Sequence, residues 1–258
     1  PCPGRRGARP SLPENTVPQR LTMPQLTKKR SRKAGLPPGT LIHIGERKSE
    51  RSRMTFVQYD EQAFSEKEVS AVEECGARPA GTVTWINVDG LHETALLERL
   101  GQGFGLHPLV LEDILNTDQR PKVEDYGDYL FVVLKRVSLR EDHAFATEQI
   151  SIVLGRDFVL SFQEGERDDF APVRARLRNG RGRVRRAEAD YLAYILLDTV
   201  VDDYFITLER FDDQLEALEE QVLAAPQRAT LARLHGLRRT LVLVKRAVWP
   251  LREVLGTL

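Results

Sequence analysis

Three carboxylates stand where carboxylates are rare. Glu112 and Asp113 interrupt the segment His107-Pro-Leu-Val-Leu-Glu-Asp-Ile-Leu-Asn116, which is otherwise largely apolar. Asp198 lies in a run where apolar residues recur at Tyr191, Tyr194, Ile195, Val201, Phe205, Leu208, Leu215 and Leu218. That spacing of three and four marks one stripe of a helix, expected to be its buried stripe. Asp198 takes the stripe's next register position, three residues after Ile195 and three before Val201. A carboxylate on an apolar face costs several kcal/mol unless it is paired, protonated or bound to a cation. Hard cations such as Mg²⁺ take oxygen ligands and keep several waters, so one or two carboxylates per site suffice. Adjacent helical residues point about 100° apart. Glu112 and Asp113 are therefore suited to two different ions or partners, not to clamping one. A salt bridge or a solvated edge of the stripe accounts for Asp198 equally well, and solvated acidic pairs on helices are common.

Other chemistries find no footing. His92-Glu93 begins like a zinc-protease motif, but the second histidine's position holds Leu96. Gly101, Gly103 and Gly105 follow a helical stretch, whereas a dinucleotide loop must follow a strand. No Walker loop and no nucleophile elbow occur, and His43, His92, His107, His143 and His235 are scattered. With no nucleophile–base pair, an enzyme is not expected.

The elements that must position the acids follow from periodicity and punctuation. Strands are expected at Thr40–Ile44, Met54–Tyr59, Val83–Val88, Tyr129–Leu139, Gln149–Leu154 and Phe158–Gln163. Helices are expected at Glu61–Glu74, at His92–Leu100 with a stop at Gly101, at His107–Leu115, and at Asp168–Arg178 with Asp168 or Asp169 as N-cap. This interleaving argues a layered core of helices and strands, with a mixed or antiparallel sheet. From Glu188 the pattern is helical to Ala224, breaks at Pro226, resumes at Arg228 and breaks again at Trp249-Pro250. Two long helices joined by a short turn make an antiparallel hairpin.

Lys and Arg total 38 and Asp and Glu total 38 in 258 residues, so a uniformly basic nucleic-acid coat protein is excluded. Two cysteines, Cys2 and Cys75, exclude a disulfide scaffold. The longest apolar stretch, Tyr191–Leu197, is far below the roughly 20 residues of a membrane span. Residues 1–36 carry nine bases against Glu14 alone, and eight of the 14 prolines lie at or before Pro38. Such composition points to a basic disordered tail over 1–36, ahead of a folded unit at 37–187 and the helical hairpin at 188–258. The sequence lacks an initiating methionine and ends where a new helix starts, so a fragment of a longer protein is expected.

Several stretches together carry a family resemblance. They are Gly35-Leu-Pro-Pro-Gly-Thr-Leu41, Trp85-Ile-Asn-Val-Asp-Gly90, His107 to Asn116, Gln119-Arg-Pro-Lys-Val-Glu124, Ala189-Asp-Tyr191, Val201-Asp-Asp-Tyr-Phe205 and Trp249-Pro-Leu-Arg-Glu-Val-Leu255. From Gly35 to Leu258 the chain resembles the cytoplasmic domain of the CorA family of magnesium and cobalt channels. The resemblance implies an α+β fold: an α/β/α sandwich with a mixed, largely antiparallel sheet, then a long antiparallel helical hairpin leading toward a stalk. It also implies a homopentamer, Mg²⁺ or Co²⁺ as regulatory and transported ion, and attachment to the inner membrane through segments outside this sequence. Divalent-ion sites between subunits map onto Glu112, Asp113 and Asp198. A zinc transporter of the same superfamily is the alternative, although its members tend to lack the Glu-Asp pair. A soluble scaffold or RNA-binding module using the basic tail is the other; no nucleic acid is expected on the first reading.

Overall fold

A computed structural model describes residues 35–257 except 77, 140–144, 166, 181–182 and 225–226. The expected basic tail therefore falls outside the described residues, apart from Gly35 and Leu36. Seven strands form one sheet: β1 (Arg53–Tyr59), β2 (Phe64–Val69), β3 (Val83–Asp89), β4 (Lys122–Asp125), β5 (Tyr129–Leu139), β6 (Phe145–Gly155) and β7 (Phe158–Gln163). Their order is β2-β1-β3-β7-β6-β5-β4. Among these seven described strands, β3 and β7 pair in parallel and the other neighbours are antiparallel.

Both faces of the sheet are covered, which explains why β3 and β7 are buried at every position. Helices α1 (Thr94–Phe104) and α2 (Pro108–Leu115) pack on one face, against Phe56, Ile86, Phe131 and Leu160. On the other face lie α3 (Ala171–Asn179), the first half of α4 (Ala189–Ala224), the end of α5 (Arg228–Val248) and α6 (Leu251–Thr257). They meet Val57, Trp85, Val132 and Ile152 there. Neighbours such as Phe56 and Val57 thus feed opposite cores, as strand alternation requires. The three layers and the α4–α5 hairpin are those the sequence implies.

Four local expectations are corrected. Residues 61–74 form an edge strand and a short 3₁₀ turn at Val72–Cys75, not a helix. Glu and Lys favour helix intrinsically, but the Asp60 carboxylate accepts from the backbone of Gln62 and Ala63 at 2.7 Å and turns the chain back along β1. Charged residues on such an edge also discourage pairing with other chains. Thr40–Ile44 makes only a bridge, from Ile44 to Asn116. Helix α1 runs through Gly101, because that glycine marks a close approach: a Cβ there would sit 2.5 Å from Leu111. The helix ends instead at Gly105, with φ of +66°. Helix α3 starts at Ala171 with Phe170 as its N-cap, leaving Asp168 and Asp169 to ion pairs, while Gly180 closes it in the left-handed region. Strand β4 had no clear signal in the sequence.

The turn after β3 tests the packing directly. Gly90 has φ of +89°, and a Cβ would lie 2.4 Å from Ser49 Oγ and 3.0 Å from the Arg51 carbonyl. Gly90→Ala is expected to lower the unfolding free energy by about 1–3 kcal/mol, read as a lower denaturant midpoint at unchanged slope. A wild-type midpoint would show that the turn relaxes freely.

Candidate metal site and its anchorage

Helix α2 begins with a specific cap. Pro108 occupies the first turn, and His107 Nδ1 accepts from Leu109 N at 3.2 Å. Val110, Leu111, Ile114 and Leu115 are buried, which leaves Glu112 and Asp113 half-buried on the helix flank. The two carboxylates diverge as adjacent helical residues must. Glu112 Oε2 accepts from Gly39 N at 2.5 Å. Asp113 Oδ2 is bound by Lys122 Nζ and its Oδ1 by Gln119 Nε2, each at 2.5 Å. Lys122 also reaches Glu124 at 2.6 Å. Burial opposes the lysine's charge, but its bonds to Asp113 and Glu124 prevail and raise its pKa. A cation approaching Asp113 must therefore compete with an ammonium already in place.

Asp198 requires a correction. The stripe read from the sequence is split: Ile195 and Leu218 are buried, whereas Tyr194, Phe205 and Leu208 are 57%, 62% and 41% exposed, and Asp198 is exposed with the latter three. The core side of the helix is made by Leu192, Ala193, Leu196, Val200, Tyr204 and Thr207 together with Ile195, which the two faces share. Both faces of this helix are apolar, and periodicity alone does not tell which one meets the sheet. Polar contacts set the choice. Among the described residues the outer edge of β5 has no partner strand beyond Val133, since β4 pairs with Leu130–Val133. There the Tyr204 hydroxyl donates to the Lys135 carbonyl, and Thr207 Oγ1 donates to the Val137 carbonyl at 2.9 Å.

An ion cluster beside these hydroxyls completes the anchorage. Arg136 on β5 is only 2% exposed. Its Nε donates to Asp203 of α4 at 3.0 Å, and its Nη1 donates to Glu148 of β6 at 3.2 Å and to Asp169. Asp169 is also paired with Arg167 at 3.1 Å. Lys48 extends the cluster to Glu164 at 2.9 Å. Burial pushes the Asp169 carboxyl up to about 6, against the lowering pull of Arg136 and Arg167. Sequence reasoning missed this cluster. Its one legible signal was Asp203-Tyr204 followed by Thr207, polar groups one helical turn apart inside an apolar run.

The sheet separates the three candidate ligands. Glu112 and Asp113 ride on the helix layer of one face, Asp198 on that of the other. Among the described residues no group of three His, Cys, Asp or Glu side chains is close enough to hold a metal ion. Nor, among them, is any helix long and apolar enough to cross a membrane.

The fold is thus a seven-stranded mixed sheet sandwiched by helices and continued by a long helical hairpin. The chain belongs to the CorA-like Mg²⁺ transporter protein family, whose model matches residues 80–258. Over 233 residues it is 46% identical to the cobalt/magnesium transport protein CorA of Thermotoga maritima. That match covers 90% of this chain and 66% of the relative, so the chain spans just under two thirds of that protein. In fold it is similar to the soluble domain of CorA from Methanocaldococcus jannaschii, with a TM-score of 0.63 at 21% identity, covering 78% of this chain and 77% of that one. The cytoplasmic domain of ZntB from Vibrio parahaemolyticus is similar at a TM-score of 0.52 and 15% identity, covering 79% and 80% of the two chains. The family resemblance read from the motifs is borne out.

The Asp169 cluster has a pH signature. The folded state holds the Asp169 proton more tightly than an ordinary carboxyl, which titrates near 3.8. Its contribution to stability is complete below that value and is lost as pH rises through about 6. Relative to wild type, Asp169→Asn is expected to gain stability as pH rises across this window, by roughly 3 kcal/mol. Chemical denaturation at a series of pH values measures it; parallel profiles for the two proteins would remove Asp169 as the titrating group.

Proposed function

We propose that this chain is the cytoplasmic regulatory domain of a CorA-type magnesium/cobalt channel of the inner membrane. In this proposal the full-length protein is a homopentamer, and divalent cations bound between neighbouring subunits favour its closed state. Family membership over residues 80–258 supports the class. The observation that carries the regulatory part is the separation of Asp113 and Asp198 onto opposite layers of one chain, Asp198 exposed on its helix. Two such acids contribute to one ion only where two chains adjoin.

The chemistry is that of a hard cation meeting oxygen ligands. Mg²⁺ or Co²⁺ retains part of its water shell and needs only one or two carboxylates from the protein. Facing acids on adjacent subunits repel, and a bridging cation offsets that repulsion. When cytoplasmic Mg²⁺ falls, the bridges empty and the population shifts toward open, asymmetric arrangements. The shift is limited by the ion's differential affinity for the closed state. At Asp113 the cation also displaces the Lys122 ammonium, which makes Lys122 a built-in competitor.

Limited proteolysis of the full-length protein against Mg²⁺, Co²⁺ and Zn²⁺ tests this. Protection by Mg²⁺ or Co²⁺ is expected, with Asp113→Ala and Asp198→Ala each raising the protecting concentration by about tenfold or more. Lys122→Gln is expected to lower it, because the competitor is gone. Unchanged midpoints in all three variants would defeat the proposal, and protection by Zn²⁺ alone would favour the zinc transporter.

A further inference from the structure

Between α3 and the β1–β2 end of the sheet lies a polar cleft of about 490 Å³, whose lining includes Arg53, Thr55, Glu66, Asp168, Arg174 and Arg178. Strand alternation puts the strand residues there. Glu66 pairs with Val57, which belongs to the core on the α3 side, and Arg53 and Thr55 share that face of β1. Arg174 and Arg178 stand four residues apart on α3, so one side of the helix presents both. The acids are met by these arginines. Arg174 Nε is 3.1 Å from Glu66 Oε1, and its Nη2 donates to Asp168 Oδ2. Arg178 Nη2 donates to Glu66 at 2.5 Å, and Arg53 donates to Asp89 through Nε and Nη2 at 3.2 and 2.9 Å. Two buried atoms are left over. Arg174 is 6% exposed, yet its Nη1 has no hydrogen-bond partner, and neither has Asp168 Oδ1. A buried polar atom without a partner is destabilising. The guanidinium is also held in place, tied to two carboxylates and lying over the Trp85 ring at 5.9 Å.

We infer that this cleft is a binding site for a protonated phosphate group, either the free ion or a small phosphate monoester. The two leftover atoms call for an acceptor and a donor together. A hydrogen phosphate supplies both: an oxygen to accept from Arg174 Nη1, and a P–OH to donate to Asp168 Oδ1. Arg53 and Arg178 have N–H groups beyond those that hold Asp89 and Glu66, and Thr55 adds a hydroxyl, so the remaining oxygens find donors. The planar fork of arginine matches an oxyanion better than a lysine does. One water also offers a donor and an acceptor, but it fills only about 30 Å³, a small part of the cleft. Asp168 then sets the specificity. Sulfate has the shape and charge of hydrogen phosphate but no proton at neutral pH, so it would set an oxygen lone pair against the Asp168 carboxylate. The inference is independent of cation sensing, because Glu112, Asp113 and Asp198 do not line the cleft.

Isothermal titration calorimetry of the 258-residue chain tests it, with EDTA present and ionic strength held constant. The probes are inorganic phosphate, glycerol 3-phosphate and sulfate. Saturable binding of phosphate is expected, with sulfate at least about tenfold weaker near neutral pH, the worth of one hydrogen bond to a charged group. Asp168→Asn is expected to bring the ratio of the two affinities close to one, because the amide can donate to sulfate. Arg174→Gln is expected to abolish binding. That side chain is buried, so the melting midpoint is read alongside. If the variant does not fold, Arg178→Gln carries the test: Arg178 is exposed, and its loss is expected to weaken phosphate about threefold or more at an unchanged midpoint. Glycerol 3-phosphate loses its last proton near pH 6, so its binding is expected to weaken as pH rises to about 8, whereas inorganic phosphate keeps a proton and its binding holds. Tighter binding of the ester at low pH assigns the site to a phosphate monoester, and tighter binding of inorganic phosphate throughout assigns it to the free ion; either upholds the inference. Phosphate and sulfate bound equally by the wild type, and alike in the variants, would mean an adventitious ion only. No saturable binding up to about 10 mM phosphate would leave the cleft to water. Either result, or ester binding that ignores pH, would overturn the inference.

Discussion

Helix α4 can be laid on the sheet in only one rotational setting, and most of the molecule's functional surface depends on it. The helix has two apolar faces, so hydrophobic burial alone leaves the choice open. Arg136 closes it. A guanidinium 2% exposed needs carboxylate partners, and it draws them from β6, the α3 entry and α4 at once. Removing one partner from such a cluster costs several kcal/mol, because the remaining charge is left buried and uncompensated. Tyr204 and Thr207 then satisfy two carbonyls on an edge of β5 that no strand covers. With those contacts made, Asp198, Phe205 and the acids beyond them have only one way to face, and it is outward.

The other acidic position is governed by competition. Asp113 is not an empty ligand waiting for an ion; it holds Lys122 and Gln119. Pairing keeps the half-buried carboxylate tolerable in the absence of metal, and it sets a threshold that an incoming cation must exceed. In the proposed cation-sensing role, part of the binding energy is returned to breaking that ion pair, which suits a response to millimolar changes in a hard divalent ion. Glu112, one residue away, holds the backbone at Gly39.

Much of this architecture was legible in the residues. β-branched and aromatic runs gave β1, β3, β5 and β7 nearly to the residue, and Pro226 with Trp249-Pro250 marked the hairpin's joints. The failures share a cause. Residues 64–69 look helical by composition but gain backbone hydrogen bonds from β1. Gly101 looks like a stop but is the point where α1 comes within reach of Leu111. Asp198 looked buried because a stripe of 3.6 periodicity reveals that a face is apolar, not which of two apolar faces the sheet receives. In each case a partner distant in sequence decided the outcome. The identity of the candidate acids was available from the sequence; their surroundings, with Lys122 against Asp113 and open exposure around Asp198, were not.

The most direct test is a cobalt anomalous difference map from crystals of the assembled full-length protein grown in Co²⁺. The account expects peaks at Asp113 or Asp198 with ligands drawn from two chains, while Arg136 still holds Asp203 and Phe205 still faces away from the sheet. Peaks only at places remote from both acids, or an Asp198 turned in against the sheet, would contradict it.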